Sequence, residues 1–176
     1  MATNAAAGAV RIRNEKMKSR KRMIDGVEYN VTSGFESVEK GWYDVKIGVW
    51  ASDVHVFVGS VEEMQVSARE KFKDKAQVVA MLESWGARDC REAYGGMNSC
   101  GSDYVIRLSK YCPCNMDHML TLVHEGLHAA QRMLSDLGAE VNPTGSETLA
   151  YTHVNIVGKI MHKFCESVRN KSKGKR

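Results

Sequence analysis

The 176-residue chain has no run of about 18 consecutive apolar residues, so no membrane-spanning helix is expected. It also lacks the order of a secretory leader. The opening MATNAAAGAVRIRNEK puts small residues before charge and holds no long apolar stretch. The expectation is a protein made and kept in a cytoplasm. The cysteines do not form an even set either: Cys90, Cys100, Cys112, Cys114 and Cys165 are five. A chain of this length can bury a core without disulfide staples, so free thiols in a reducing compartment are expected. Cys112-Pro113-Cys114 with His118 could form half of a second metal site, but it lacks the two-residue gap of a zinc knuckle. No internal repeat or low-complexity block appears outside the basic ends.

What is present is the composition of one globular domain, with 43% apolar and 26% charged residues. The net charge of +4 is uneven. It divides into +6 over residues 1–23, +5 over residues 169–176 and −7 over residues 24–168. Basic ends on an acidic body allow weak nucleic-acid contact by charge alone. Neither end interleaves aromatics with its cations, which argues for solvated tails. Residues 1–22 show no helical or strand period and read as a basic flexible segment. Residues 23–168 read as one domain and 169–176 as a basic tail.

Within the domain, Val27 to Val31 looks extended. Tyr43, Val45, Ile47 and Val49 alternate with Asp44, Lys46 and Gly48 as in a half-buried strand. A turn at Ala51-Ser52-Asp53 leads to a second strand through Val54, Val56 and Val58. Ser60-x-x-Glu63 is a capping box opening a helix over about 61–73, and another helix follows over about 75–85. Residues 86–102, with Gly86, Gly95, Gly96 and Gly101, read as a loop. Tyr104 to Ser109 reads as a short strand. Asn115 can cap a long helix to about Leu137, stopped by Gly138, and a last helix runs from about Ser146 to Val168. Strands before helices indicate an α+β domain, a small N-terminal sheet with helices on one face.

The chemistry concentrates in His124-Glu125-Gly126-Leu127-His128. Residues four apart stand on one face of a helix, so the two imidazoles can close on one ion. Glu125, about 100° around the helix, can reach a water held there. Met119, Leu120, Val123, Leu127, Ala130 and Leu134 give this helix an apolar side, with the histidines beside it. A zinc site with an open position needs a third protein ligand. Glu147, 19 residues after His128, is the best candidate. It also closes the capping box Thr144-x-x-Glu147, which would make it a cap alone. Glu140 and His153 stand in reserve. Tyr151, one turn after Glu147, could donate to an oxyanion or could be a core aromatic. His118 reads better as a surface or first-turn residue than as part of a cleft.

The His124-Glu125-x-x-His128 helix followed by Glu147 resembles the gluzincin branch of the zincin metallopeptidases. Glu147-Thr148-Leu149-Ala150-Tyr151 also resembles small zincins encoded by bacteriophages. The resemblance covers roughly residues 103–165. It implies Zn2+ on His124, His128 and Glu147, with Glu125 as general base and a peptide or protein as substrate. It also implies that the strand before the zinc helix, Tyr104–Ser109, lies along the cleft and pairs with that substrate. A phage origin would put the protein in a host cytoplasm. The chain departs from the family in showing no separate substrate-binding domain downstream and no propeptide pattern, which leaves substrate range and activity on peptides open. A zincin-fold binding protein without catalysis remains an alternative, as does a nucleic-acid-associated protein using its basic ends.

Overall fold

A computed structural model describes residues 19–24, 27–32, 37–48, 52–85, 94–139 and 147–174. The chain divides into two units, Met1–Gly34 and Phe35–Arg176. In the first, strands β1 (Ser19–Ile24) and β2 (Val27–Thr32) pair antiparallel, with Ile24 opposite Val27. The extended stretch at Val27–Val31 is thus present. Ser19–Arg22 lie in a strand rather than in the flexible segment expected over residues 1–22. Arg20, Lys21 and Arg22 offer no period-two contrast, so main-chain pairing leaves no trace there in hydropathy. Residues 1–18 lie outside the described residues.

The second unit is an α+β fold. Its strands are β3 (Gly41–Ile47), β4 (Ser52–Val58), β5 (Gly95–Cys100) and β6 (Asp103–Leu108), in the order β3-β4-β6-β5. β3 and β4 form the expected hairpin, but Ile47 already faces Ser52. Ser52 and Asp53 therefore belong to β4, not to the turn. Val49 lies outside the described residues. β4 and β6 pair in parallel, and the chain between them supplies two helices and β5.

The helices are α1 (Val61–Lys71), α2 (Ala76–Glu83), α3 (Met116–Asp136) and α4 (Glu147–Gly174). Ser60 caps α1 as its sequence requires: its hydroxyl accepts from Glu63 N, and Glu63 Oε2 accepts from Ser60 N at 2.8 Å. Asn115 caps α3 by accepting from the main-chain N–H groups of Asp117 and His118. Such caps contribute about 1 kcal/mol each. Gly138, at φ +72°, ends α3 in the left-handed conformation that glycine tolerates best. α4 extends through residues 169–174, six residues beyond the expected end.

Helices cover both faces of the sheet, not one. Val54, Val56, Val58, Tyr104, Ile106 and Leu108 pack with Leu122, Ala129 and Met133 of α3 and Ile156, Ile160 and Phe164 of α4. The intervening Phe57 and Val105 pack with Val61, Met64 and Ala68 of α1 and Val78 and Leu82 of α2. Buried His55 and Arg107 interrupt β4 and β6 with polar residues, and this hides the two-sided burial from a hydropathy reading. The sheet is also not N-terminal alone, since β5 and β6 follow the first two helices.

β5 falls in the stretch read as a loop. It pairs antiparallel with β6, from Gly95 opposite Leu108 to Cys100 opposite Asp103. Its glycine serves a close approach. A Cβ built on Gly95 would lie 2.5 Å from Thr121 Cγ2, 3.1 Å from Glu125 Cγ and 3.2 Å from Arg107 O. Gly95→Ala should therefore cost about 1–3 kcal/mol, the usual range for overpacking. Thr121→Ser deletes the nearest obstructing atom and should recover part of that loss. Urea denaturation of the two single variants and the double variant measures the coupling, and strictly additive losses would contradict the contact.

Candidate metal centre

α3 leaves the end of β6 and lies over β6 and β5. Its buried side runs through Leu122, Glu125, Gly126, Ala129, Ala130 and Met133. It overlaps the expected apolar side: Ala130 and Leu134 are buried, and Met119 and Leu127 are half-buried. Leu120 is exposed and Val123 is at the border of exposure, while His124 and His128 are exposed at the margin of the buried side. Gly126 carries little hydropathy, yet it lets α4 approach so closely that a Cβ there would meet Val157 Cγ2 at 2.6 Å.

His124 and His128 come together as their spacing requires. Their Nε2 atoms are 3.0 Å apart and their ring planes cross at 88°. Two nitrogens bound at 2.0–2.1 Å to one tetrahedral zinc are separated by about 3.3 Å, so the pair fits one edge of such a site. Glu125 faces inward and is 8% exposed. Burial pushes its carboxyl above the ordinary glutamate range, while the charges of His124, His128 and Arg107 pull it back in part. A carboxylate with raised proton affinity next to two imidazoles is suited to taking a proton from water.

The remaining site residues are not gathered there. Glu147 opens α4 and is exposed. Among the described residues, the cluster of three metal-ligating side chains within 4.8 Å is Asp53, His55 and Asp103, and it includes neither histidine of α3. Tyr151 is 74% exposed on α4, so it is not a core aromatic. His153 Nε2 lies 2.9 Å from Val123 O, directly against α3. Glu140 lies outside the described residues. His118 is a buried first-turn residue whose Nδ1 accepts from Cys112 N at 3.0 Å. Cys112 and Cys114 are joined in a disulfide, not left as the free thiols or half metal site considered from sequence.

Tyr104–Ser109 cannot pair with a substrate. β6 is flanked by β4 and β5, so both of its edges are used. The sheet edge next to α3 belongs to β5. Beside His128 the surface opens into a cavity of about 620 Å³ lined by Met97, His128, Gln131, Arg132, Ser135 and Ala139. Arg132 Nε is 3.1 Å from Asp136 Oδ1, and Tyr104 donates its hydroxyl to Asp136 Oδ2 at 3.0 Å.

A second polar group lies on the opposite face of the sheet and was not foreseen. His55 Nδ1 is 2.7 Å from Asp44 Oδ1, and its Nε2 is 3.0 Å from Asp103 Oδ1. Lys71 bonds Asp44, and Lys75 bonds Asp103 at 2.6 Å. Phe72 packs edge-on against the imidazole at 4.9 Å. The two lysines supply positive charge to Asp44 and Asp103. A sequence signal did exist: Asp44 and His55 face each other once the hairpin register is known. Comparison with protein-family models, curated proteins and solved structures finds no match.

The hydrogen bond to His55 and the contact with Lys71, against the effect of burial, hold the Asp44 carboxyl down at about 2. Burial raises Asp103, but its bonds with Lys75 and His55 outweigh that and leave it lowered. A depressed carboxyl stabilises the fold above its unfolded value of about 3.9 and ceases to do so as pH falls through the folded value. Stability should therefore fall between pH 4 and pH 2. Asp44→Asn should lower stability at pH 7 and flatten that fall. Urea midpoints at pH 7, 4 and 2.5 provide the check, and an unchanged slope in the variant would remove Asp44 from the network. Asp44 is half exposed, so added salt should weaken the effect.

Proposed function

We propose that the chain is a zinc-dependent peptidase of the cytoplasm. The observation that carries this reading is the His124–His128 pair, with Nε2 atoms 3.0 Å apart beside the buried Glu125. His124 and His128 would hold Zn2+, with Glu147 as the third ligand and His153 as the other donor that α4 offers. When bound, the ion polarises a substrate carbonyl and lowers the proton affinity of water. The Glu125 carboxylate takes a proton from the attacking water and delivers it to the nitrogen of the leaving amine. Hydroxyl thus adds to the carbonyl carbon, and the C–N bond breaks. Tyr151 is the proposed donor to the oxyanion. No helix among the described residues is long and apolar enough to cross a membrane.

The substrate would be an extended peptide that adds to the outer edge of β5, which no other described strand occupies. Gly95 brings that strand against Glu125, so a chain paired there lies close to the base. The cavity next to His128 would receive a substrate side chain. One observation favours a second reading. No third ligand joins the histidine pair among the described residues, as would suit a zincin-fold binding protein that does not hydrolyse peptides.

Elemental analysis and a peptide library separate the two. The parent should copurify with about one zinc and cleave peptides, whereas bound zinc without any cleavage would favour the binding protein. His124→Ala should lose the metal. Glu125→Gln should keep both zinc and fold but lose about 10²-fold or more in turnover, because an amide cannot accept the proton. Retained turnover would end the mechanism. Glu147→Ala should copurify with much less zinc and His153→Ala with nearly as much as the parent. The opposite result would transfer the third position to His153.

A further inference from the structure

The Cys112-Pro113-Cys114 turn joins β6 to α3 and has no part in the peptidase reading. It ends at Asn115, the N-cap of α3, about 14 Å along the helix axis from His124. The two sulfurs form a disulfide with Cα atoms 5.4 Å apart. The bridge closes over Pro113 alone. A ring that small restrains the unfolded chain far less than a long loop does, so it is a weak structural staple. The unit already holds two apolar cores and does not need one.

The two cysteines differ in access. Cys112 is 8% exposed, and its main chain is held at both ends: its N–H donates to His118 Nδ1 at 3.0 Å, and its carbonyl accepts from Asn115 N at 3.0 Å. Cys114 is exposed. It precedes the N-cap, at the positive end of a 21-residue helix, where an anion is stabilised. One sulfur is open to attack at a position that favours a thiolate. The other is buried in a fixed loop. In a reducing compartment a disulfide of this kind is transient and takes part in exchange.

We propose that Cys112–Cys114 is a thiol–disulfide exchange site whose substrate is a dithiol. A thiolate of the dithiol attacks Cys114 Sγ, the bond to Cys112 Sγ breaks, and Cys112 leaves as a thiolate and takes up a proton. The second thiolate of the substrate then attacks its own sulfur in the mixed disulfide and releases Cys114. The dithiol loses two electrons and becomes a disulfide, and the protein disulfide gains them and becomes two thiols. His118 is a positioning residue that keeps Cys112 in place through the main chain. Regeneration is the reverse reaction with an oxidised disulfide.

The test uses the full chain in native buffer. The protein is equilibrated with dithiothreitol at graded ratios of reduced to oxidised form, quenched in acid, alkylated and mapped by mass spectrometry. Cys112 and Cys114 should pass together between disulfide and dithiol in one two-electron transition, with the far-ultraviolet circular dichroism unchanged. In the reduced protein Cys114 should alkylate at least about tenfold faster than Cys165, the exposed free cysteine of α4, and Cys112 slower. Cys112→Ser should leave Cys114 able to form a mixed disulfide with oxidised glutathione, and Cys114→Ser should leave Cys112 unable to. The wild-type alkylation rates give the same answer if either variant fails to fold. The proposal fails if the pair stays reduced at every ratio, yields to dithiothreitol only after unfolding, or shows Cys114 no more reactive than Cys165. It fails equally if the reduced pair takes up added zinc and is thereby blocked from exchange. None of these readouts depends on peptide hydrolysis.

Discussion

The close approach of α3 to its neighbours is the constraint on which the rest of the structure depends. Two glycines permit it. Gly126 lets Val157 and His153 of α4 press onto the helix, and Gly95 lets β5 lie against Thr121 and Glu125. With both contacts made, the rotation of α3 is no longer free. Leu122, Ala129 and Met133 meet the sheet, Glu125 is sealed in the seam, and His124 and His128 are left facing outward. Burying Ile156, Ile160 and Phe164 of α4 contributes about 1.5–3 kcal/mol each and holds the second contact in place. A bulkier residue at position 95 or 126 would act on the histidines without touching them, by turning or lifting the helix that carries both.

The two faces of the sheet treat buried charge differently. On the α1–α2 face, His55 and Asp103 are buried within a network that Lys71, Lys75 and Asp44 complete. The His55 ring bridges Asp44 and Asp103 through its two nitrogens. Opposite charges and hydrogen bonds offset desolvation there, and both carboxyls are held low. On the α3 face, Glu125 is buried with weaker compensation, and its carboxyl is raised. A group left in that condition costs stability. The contrast within one sheet is why Glu125 and not His55 stands at the centre of the proposed function.

Local rules were legible in the sequence where one residue does one job. The Ser60–Glu63 capping box, the Asn115 cap, the Gly138 stop and the alternation in β3 all stand as read. So does the meeting of His124 with His128, because it depends only on helical spacing. What failed depends on partners distant in the chain. The buried face of α3 includes Ala130 and Leu134 as expected, but hydropathy gives weight to the exposed Leu120 and Val123 and almost none to Gly126 and Ala129. Helices on the second face were missed because His55 and Arg107 break the apolar runs of β4 and β6. The disulfide was rejected on a count of cysteines, an argument that cannot see two of them one residue apart in a fixed turn.

The strand taken for a loop shows why such misreadings gather near a candidate site. β5 opens with Gly95-Gly96, and glycine weakens an isolated strand. Here the absent side chains make room on both faces at once. Gly95 admits Thr121 and Glu125 from one side, while a Cβ on Gly96 would lie 3.1 Å from Trp85 Cζ2. The strand is therefore held by β6 and by what presses on it, not by its own propensity. No other described strand pairs with its outer edge. Proteins ordinarily guard an open edge with charge, proline or a bulge, because it invites pairing with another chain. Between Gly95 and Cys100 there is no charge and no proline. An edge of this composition beside a buried glutamate is what the proposed reading, an extended substrate added to β5, requires.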